Sequence, residues 1–194
     1  MFNLREECRL NTVVTSREAI LAQGRRLVQQ EGWQALNIRS VAAACSISVG
    51  SVYHYFGSKA ELMGEIVACV WRDVFHLPED APETDCFGAQ VALLFDRLAE
   101  GERQYPGFFS LHSMGFLGQE KSLGQDRMAR SWAHIQSQLC SLLRRDPEVR
   151  PGAFDGGLTP EKLVEIVFSQ LLSALLRRDY DCQGLLELIR RAIY

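Results

Sequence analysis

The chain has 194 residues, of which 47% are hydrophobic and 23% charged, and its formal net charge at pH 7 is −3. This composition is typical of a soluble globular protein and excludes an intrinsically disordered chain. No stretch contains the roughly 18 to 20 apolar residues that a membrane-spanning helix needs, and the N-terminus lacks the apolar segment of a secretory signal. We therefore expect an intracellular, cytoplasmic protein with no membrane partner.

The charge is unevenly distributed along the chain. Residues 1–75 contain 8 Lys and Arg against 7 Asp and Glu, whereas residues 76–194 contain 13 against 17. Overall acidity disfavours a protein that coats nucleic acid without selectivity, because such binding depends on neutralising phosphates. A focused contact between the N-terminal third and DNA is compatible with this balance.

The six cysteines occur singly, without a C-x-x-C pair and without histidines at metal-binding spacing. Three of them, Cys45, Cys69 and Cys140, fall within apolar helical patterns. We expect mostly reduced thiols that fill the core, with no metal site and no cofactor. The spacing gives no indication of a redox switch and does not exclude one.

Helical periodicity begins near the N-terminus. A first helix is predicted over about residues 16–31, with Ser16 as its N-cap and Gly32 as its C-terminal stop. A second, shorter helix is predicted over residues 38–45, with Asn37 as its cap.

Two more helices follow closely. Ser48 can cap a very short third helix over residues 49–55. The fourth is predicted over residues 58–76, where Ser58 caps the helix and Glu61, three residues later, completes a capping box.

The remaining chain also has helical periodicity, interrupted by segments rich in proline, glycine or acidic residues. No strand pattern and no internal repeat occur. The predicted fold class is therefore all-α, with about nine helices. The last five are expected at about 85–104, 106–117, 121–145, 159–177 and 181–193.

The second and third helices, with the three-residue turn between them, have the proportions of a helix-turn-helix. Val52 faces inward on the third helix, and short side chains occupy the outer side near its start. A recognition helix needs this arrangement, because its first residues must approach base edges in the major groove. The outward residues are Ser48, Val49, Ser51 and His54.

The segment NIRSVAAACSISVGSVYHYFGSKAELM, residues 37–63, resembles the DNA-binding signature of the tetracycline-repressor (TetR) family of transcriptional regulators. The resemblance covers about residues 15–75. Beyond it, the chain is similar to the family only in helix count, length and a Pro/Gly-rich loop before two final helices. The matching positions are Ile38, Val41, Ala42, Ile47, Ser48, Gly50, Val52, Tyr53, Tyr55, Phe56, Ser58, Lys59 and Leu62.

Three positions differ from the family pattern. Ser46 stands where the family has a turn glycine with left-handed backbone, which should cost about 1 kcal/mol. Asn37 replaces the family's capping threonine and keeps both the cap and a hydrogen bond to phosphate. Val49 replaces a residue that is often basic or polar in relatives, so the resemblance predicts no base preference.

The resemblance implies two domains. Residues 1–57 would form a three-helix DNA-binding domain, with the helix-turn-helix at 38–56. Residues 58–194 would form a C-terminal domain for effector binding and dimerisation.

The aromatic block between the third and fourth helices is the part of the signature that the resemblance explains. Tyr53 and His54 would face the DNA backbone and Lys59 would meet a phosphate, whereas Phe56 would anchor the helix junction. Tyr55 is open to either role. The predicted DNA-binding residues are Asn37, Arg39, Ser48, Val49, Ser51, Tyr53, His54 and Lys59.

Large apolar side chains with a few polar ones recur between residues 86 and 145, a pattern that fits a small-molecule pocket and a helical core equally well. The resemblance favours a pocket, because relatives bind an effector between these helices. It implies an unidentified small-molecule effector, apolar or aromatic, with His112 or Gln136 as hydrogen-bonding partner. The candidate pocket residues are Phe95, Phe108, Phe109, His112, Trp132, Gln136 and Phe168.

The last two predicted helices carry more apolar residues than one buried face of a monomer requires, which indicates a second buried surface. By family analogy they pair with their symmetry mates as a four-helix bundle in a homodimer. A two-fold dimer predicts a palindromic operator in double-stranded DNA. The candidate interface residues are Val164, Val167, Phe168, Leu171, Leu172, Leu175, Leu185, Leu186 and Ile189.

The expected function is therefore that of a ligand-responsive DNA-binding regulator. Most relatives repress, which makes repression the default, and the fourth helix would transmit the effector signal. An enzyme is poorly supported, because the sequence has no G-x-S-x-G, P-loop or H-E-x-x-H motif. A helical protein-interaction module that never touches DNA is the remaining alternative, and the salt dependence of duplex binding distinguishes it from a regulator.

Overall fold

The computed structural model describes residues 16–75, 84–109 and 123–194, and for residues 123–131 it describes the backbone alone. Within these ranges the chain forms eight α-helices, one short 3-10 turn at Trp33–Ala35 and no strand, which confirms the all-α fold class. The helices are α1 Arg17–Glu31, α2 Ile38–Ala44, α3 Val49–Tyr55, α4 Lys59–Phe75, α5 Phe87–Gln104, α6 Leu123–Arg145, α7 Pro160–Arg177 and α8 Gln183–Ile193.

The ninth predicted helix, at 106–117, is not among them. Residues 106–109 form a turn, and residues 110–117 lie outside the described ranges. In the part of the chain that the structure describes, no helix is both long enough and apolar enough to cross a membrane.

Local hydrogen bonds set the ends of the first two helices as predicted. Ser16 Oγ accepts the Ala19 N–H at 3.1 Å at the start of α1, and Gly32, with φ of +82°, ends that helix. Asn37 Oδ1 accepts the Ser40 N–H while Ser40 Oγ accepts the Asn37 N–H, each at 3.0 Å. This reciprocal pair is a capping box.

The fourth helix begins with a similar exchange. Ser58 Oγ accepts the Glu61 N–H at 3.0 Å, as predicted. The Glu61 carboxylate in return accepts the N–H of Gly57 at 2.9 Å. In a standard capping box the carboxylate would accept the N–H of the cap residue itself, Ser58. Here Glu61 accepts the N–H of the preceding residue, Gly57.

Helix α4 is the central element of the core, because its apolar stripe is buried as the periodicity predicts. Its buried residues are Leu62, Met63, Ile66, Val67, Val70, Trp71 and Val74. Helix α1 crosses it closely at Gly24, where an added Cβ would lie 2.3 Å from Ile66 Cδ1. The inner face of α1 is thus Ile20, Leu21, Gly24, Leu27 and Val28.

The alanines of the first two helices do not all pack in the core. Ala19 and Ala22 recur at helical spacing with the apolar residues of α1, but both are exposed. Of the three consecutive alanines in α2, Ala42 is buried, whereas Ala43 and Ala44 face solvent. Ala42 is therefore the one alanine of this run that packs, beside Val41, against the neighbours of α2.

A buried carboxylate joins the start of α5 to the C-terminal residues. Asp146 accepts hydrogen bonds from the Phe87 N–H at 2.7 Å, the Tyr194 hydroxyl at 2.6 Å and the Glu148 N–H at 3.0 Å. Burial raises the pKa of Asp146, but these three hydrogen bonds together outweigh it and hold the pKa below its ordinary value. The side chain serves as a distant cap for α5, whose own N-cap residue Cys86 makes no side-chain capping bond.

Candidate nucleic-acid interface

The turn between α2 and α3 contains the left-handed residue predicted from the sequence. Ser46 has φ of +54°, and its N–H donates to Ala43 O at 3.0 Å. The next N–H, of Ile47, donates to Ala42 O at the same distance. A serine in this conformation costs about 1 kcal/mol relative to glycine, and these two hydrogen bonds help to hold the turn in place.

One side of α3 is anchored in the core. Val52 and Phe56 are completely buried, which confirms the anchoring role predicted for Phe56. Tyr55 is half-buried and packs against the same core. The orientation of α3 is therefore determined by apolar contacts on its inner side.

The predicted DNA-binding residues are accessible to different degrees. The exposed ones are Asn37, Arg39, Ser48, Tyr53, His54 and Lys59, and the half-buried ones are Val49 and Ser51. Tyr53, at 46% exposure, is among the most exposed large apolar side chains described. Exposure permits these side chains to contact DNA, and their roles stay predictions.

Two of these residues already use much of their hydrogen-bonding capacity inside the protein. Asn37 Oδ1 caps α2, and its Nδ2 donates to Ala35 O at 3.2 Å. Ser48 Oγ accepts the Ser51 N–H at 2.9 Å and lies 2.8 Å from Ser51 Oγ. Their structural roles are thus shown, and any phosphate contact would be additional.

Arg17 of α1 lies at the junction of α1, α3 and α4. Its guanidinium donates to Tyr55 O at 2.5 Å and to Glu61 Oε1 at 2.8 Å, and it lies 4.3 Å from the centroid of the Phe56 ring. A second carboxylate, of Glu65, is 3.5 Å away. No local pattern could indicate this role, because the hydrogen-bond partners lie 38 and 44 residues along the chain.

A polar network joins α1 to the end of α5 through α4. Arg25 Nη1 lies 2.7 Å from Asp73 Oδ1, and the Tyr105 hydroxyl donates to the other carboxylate oxygen of Asp73. Gln29 Nε2 donates to the same hydroxyl at 3.1 Å. Burial, together with the adjacent Asp73 carboxylate, raises the pKa of Tyr105 far above its ordinary range.

The turn after α5 makes a second connection to the helix-turn-helix region. The Trp33 N–H donates to Pro106 O at 3.1 Å, and the Trp33 and Phe108 rings meet edge to face at 5.5 Å. At Gly32 a Cβ would come within 3.2 Å of Pro106 O. The α1–α2 connection is therefore in contact with residues that follow α5.

The model of the tetR family of bacterial regulatory proteins matches residues 20–66. This range contains most of α1, the complete helix-turn-helix and the first half of α4. Residues 20–66 are therefore similar to this family. Nearly all of the residues that carried the resemblance in the sequence fall inside the matched range.

Solved structures of TetR-family regulators are similar over both halves of the chain. PfmR from Thermus thermophilus is 20% identical with a TM-score of 0.60, over 93% of this chain and 98% of its own. SCO7222 from Streptomyces coelicolor is 19% identical with a TM-score of 0.57, over 88% and 75%. The multidrug binding protein EbrR, solved with imidazole, is 21% identical with a TM-score of 0.58, over 92% and 89%.

At these identities the similarity establishes a shared fold. A search of curated proteins gives no significant match to the chain. The fold shared with these solved regulators therefore extends well beyond residues 20–66.

Three of the predicted effector-pocket residues, Phe108, Phe109 and Trp132, have rings next to Trp71 of α4. The rings of Phe109 and Phe108 are 5.1 and 5.6 Å from that of Trp71, and the ring of Trp132 is 6.5 Å away. Trp132 in turn meets Phe168 of α7 edge to face at 5.3 Å. We call these five residues the aromatic cluster.

The remaining pocket candidates differ in their surroundings. Phe95 is buried on α5 and Gln136 is half-buried on α6, whereas His112 lies outside the described residues. The pocket itself stays a prediction. A cavity of about 340 Å³ occurs elsewhere, between α1 and α4, and is lined by Glu18, Leu21, Ala22, Arg25, Cys69, Arg72 and Asp73.

The predicted dimer interface needs a correction. Five of its residues lie inside the chain's own core at 0 to 4% exposure, so their side chains offer no surface to a second copy. The periodicity of α7 and α8 does not tell which of their apolar residues pack inside the chain. The buried five are Val164, Val167, Leu171, Leu175 and Ile189.

The apolar surface that α7 and α8 leave uncovered consists of other residues. Ile166, Leu176 and Leu188 are 48%, 55% and 67% exposed. Half-buried side chains on the same helices include the remaining interface candidates, Phe168, Leu172, Leu185 and Leu186. Any docking of a second copy on these helices would have to use this outer surface.

Proposed function

We propose that the chain is a ligand-responsive transcriptional regulator of the TetR family. It acts in the cytoplasm as a homodimer, binds a palindromic operator in double-stranded DNA, and is released from it by a small apolar or aromatic effector. Repression is the default mode. The observation that carries the proposal is a short helix, α3, anchored by Val52 and Phe56 and with Tyr53 and His54 exposed, within a TetR-family N-terminal domain.

The DNA contact is assigned to the outer side of α3 and its flanks. Arg39 and Lys59 are exposed cations close to α3 in sequence, suited to phosphates. Tyr53 and His54 supply hydrogen-bond donors that are not taken up by the core. The proposed domain division, 1–57 for DNA binding and 58–194 for the remainder, follows from this assignment.

The homodimer is assigned to the uncovered apolar surface of α7 and α8. Ile166, Leu176 and Leu188 are large side chains whose apolar area is left in water in a single copy. Burying such side chains against a symmetry mate gains about 25 cal/mol per Å² of apolar surface. A two-fold axis between these helices would place two α3 helices on one duplex, which is the reason for a palindromic operator.

The effector is assigned to the region of the aromatic cluster. Aromatic side chains with a few polar neighbours suit an apolar or aromatic molecule, and the similar protein EbrR is a multidrug binding protein solved with imidazole. Trp71 is part of α4, so a ligand that displaces its neighbours would act directly on the helix that carries Asp73.

The effector signal has two routes to the DNA-binding domain. The first is α4, whose Asp73 is paired with Arg25 of α1. The second is the turn after α5, where Phe108 contacts both Trp71 and Trp33. An effector changes DNA affinity only if it binds one of the two arrangements more tightly than the other.

The test is a selection of bound duplexes from a random pool by the full chain. The expected result is a palindromic consensus that binds with a steep loss of affinity as salt increases. Tyr53→Ala and Lys59→Ala should each weaken binding to that consensus. Lys162→Ala, which removes an exposed lysine of α7, is the matched control and should not.

Failure to enrich any duplex, or equal affinity of all three variants, would contradict the proposal. The helix-turn-helix would then be a packing unit of a protein-interaction module.

A further inference from the structure

Helix α3 offers no side chain that can make a bidentate hydrogen bond to a base. Residues 46–57 contain no Arg, Lys, Asn, Gln, Asp or Glu, the residue types that read guanine, adenine and cytosine edges most directly. The hydroxyls of Ser48 and Ser51 are engaged with each other and with the α3 backbone. Sequence selection by this helix therefore needs another kind of contact.

Val49 can provide an apolar contact to a base. It is half-buried and packs with one side against the core, whereas Val52 is completely buried. Valine in a helix has one strongly preferred χ1 rotamer, so the exposed part of Val49 is held in a defined position. In the major groove, the apolar group that distinguishes one base from the others is the C5-methyl of thymine.

Among the described residues, no backbone angle and no close contact requires a glycine at Gly50, next to Val49. It is not among the described glycines with positive φ, and a Cβ built on it would meet only Ser48 Oγ, at an ordinary contact distance of 3.6 Å. A glycine inside a helix is less stable than an alanine, because it loses more backbone freedom on folding. Gly50 therefore makes the folded state less stable than an alanine would, and the packing around it does not explain why a glycine is present.

We infer that Val49 contacts the C5-methyl group of a thymine in each half-site of the operator, and that the missing side chain of Gly50 allows α3 to come close enough. The inference rests on the proposed function and names the base that the same surface selects. Arg39 and Lys59 would contribute affinity through phosphates without base preference.

The decisive experiment replaces each thymine of the selected operator in turn by deoxyuridine, which pairs identically but lacks the methyl group. We expect one symmetry-related pair of positions at which the replacement weakens binding. The loss should be about fourfold for one half-site and about fifteenfold for both, as expected for removal of one buried methyl from each. With Val49→Ala, the difference between thymine and deoxyuridine should disappear at that position.

A second pair of variants tests the close approach. Gly50→Ala should leave the melting temperature of the free protein unchanged or slightly higher, and should weaken operator binding about tenfold or more. Gly184→Ala is a matched control, because Gly184 is also exposed, is also the second residue of its helix, and has nothing within 4 Å of a built Cβ. It should not change DNA affinity.

The outcomes separate the two proposals. If no duplex is enriched from the pool, the proposed function and the thymine contact fail together. If a palindrome is enriched but binding is insensitive to deoxyuridine, or Val49→Ala retains the sensitivity, the thymine contact alone is wrong. Wild-type affinity of Gly50→Ala would also overturn the inference.

Discussion

The guanidinium of Arg17 lies 4.3 Å from the centroid of the Phe56 ring, and this contact joins the first turn of α1 to the end of α3. The same guanidinium donates to Tyr55 O and to the carboxylate of Glu61. Three elements therefore converge on one cation. Because Phe56 is completely buried, the contact helps to determine the direction in which α3 leaves the core.

Arg17→Ala should have a larger effect on the affinity for the operator than on the stability of the folded protein. The Arg17 side chain is about one third exposed, at 35%, so the loss of stability should be modest, about 1 kcal/mol. The loss of a defined α3 orientation should reduce DNA affinity about tenfold or more. Thermal unfolding and duplex titration measure the two effects. Arg26→Ala, an exposed arginine of the same helix, is the control, and equal effects of both variants would contradict the role of Arg17.

Two substitutions to glutamate distinguish the proposed dimer surface from the core. Leu188→Glu places a charge on a residue that is 67% exposed and should yield a folded monomer with reduced operator affinity. Leu171→Glu places the charge at a residue that is 4% exposed and should unfold the chain. Sedimentation and circular dichroism distinguish these results. A dimeric Leu188→Glu protein would show that the surface of α7 and α8 lies outside the interface.

Asp146 makes stability depend on pH in a defined direction. Its pKa is lowered in the folded state, so its contribution is fully present above the ordinary value of 3.8 and is lost as the pH falls through the lower, folded-state pKa. Asp146→Asn should be less stable at pH 7 by about 1 to 3 kcal/mol. The difference in melting temperature from the wild type should narrow below about pH 4. A difference that stays constant from neutral pH down to about pH 3 would show that the charge of Asp146 has no such role.

The crossing of α4 and α5 has no room for a side chain at Gly101. A Cβ there would lie 2.8 Å from Val74 Cγ2 and 3.2 Å from Phe109 Cζ. Gly101→Ala should therefore destabilise the protein by about 1 to 3 kcal/mol, despite the better helix propensity of alanine. Gly184→Ala, in open space on α8, should be neutral or stabilising. Denaturant unfolding of the two variants checks the contrast.

The amino-acid sequence by itself determined the eight described helices, several of their caps and the helix-turn-helix. Ser16, Asn37 and Ser48 cap as predicted, because a cap bonds to a backbone N–H two or three residues away. The left-handed turn at Ser46 and the burial of Phe56 were equally readable from the resemblance. Each of these features depends on short segments whose chemistry the sequence contains directly.

Only the tertiary structure decided which long-range partners these helices have. Arg17 meets its hydrogen-bond partners across 38 and 44 residues, and Asp73 meets the Tyr105 hydroxyl across 32. In α7, periodicity marked Val167 as apolar but could not tell that it faces the chain's own core while Ile166 faces outward. Periodicity records the positions of side chains around one helix axis, whereas burial depends on the rotation of that helix against all its neighbours.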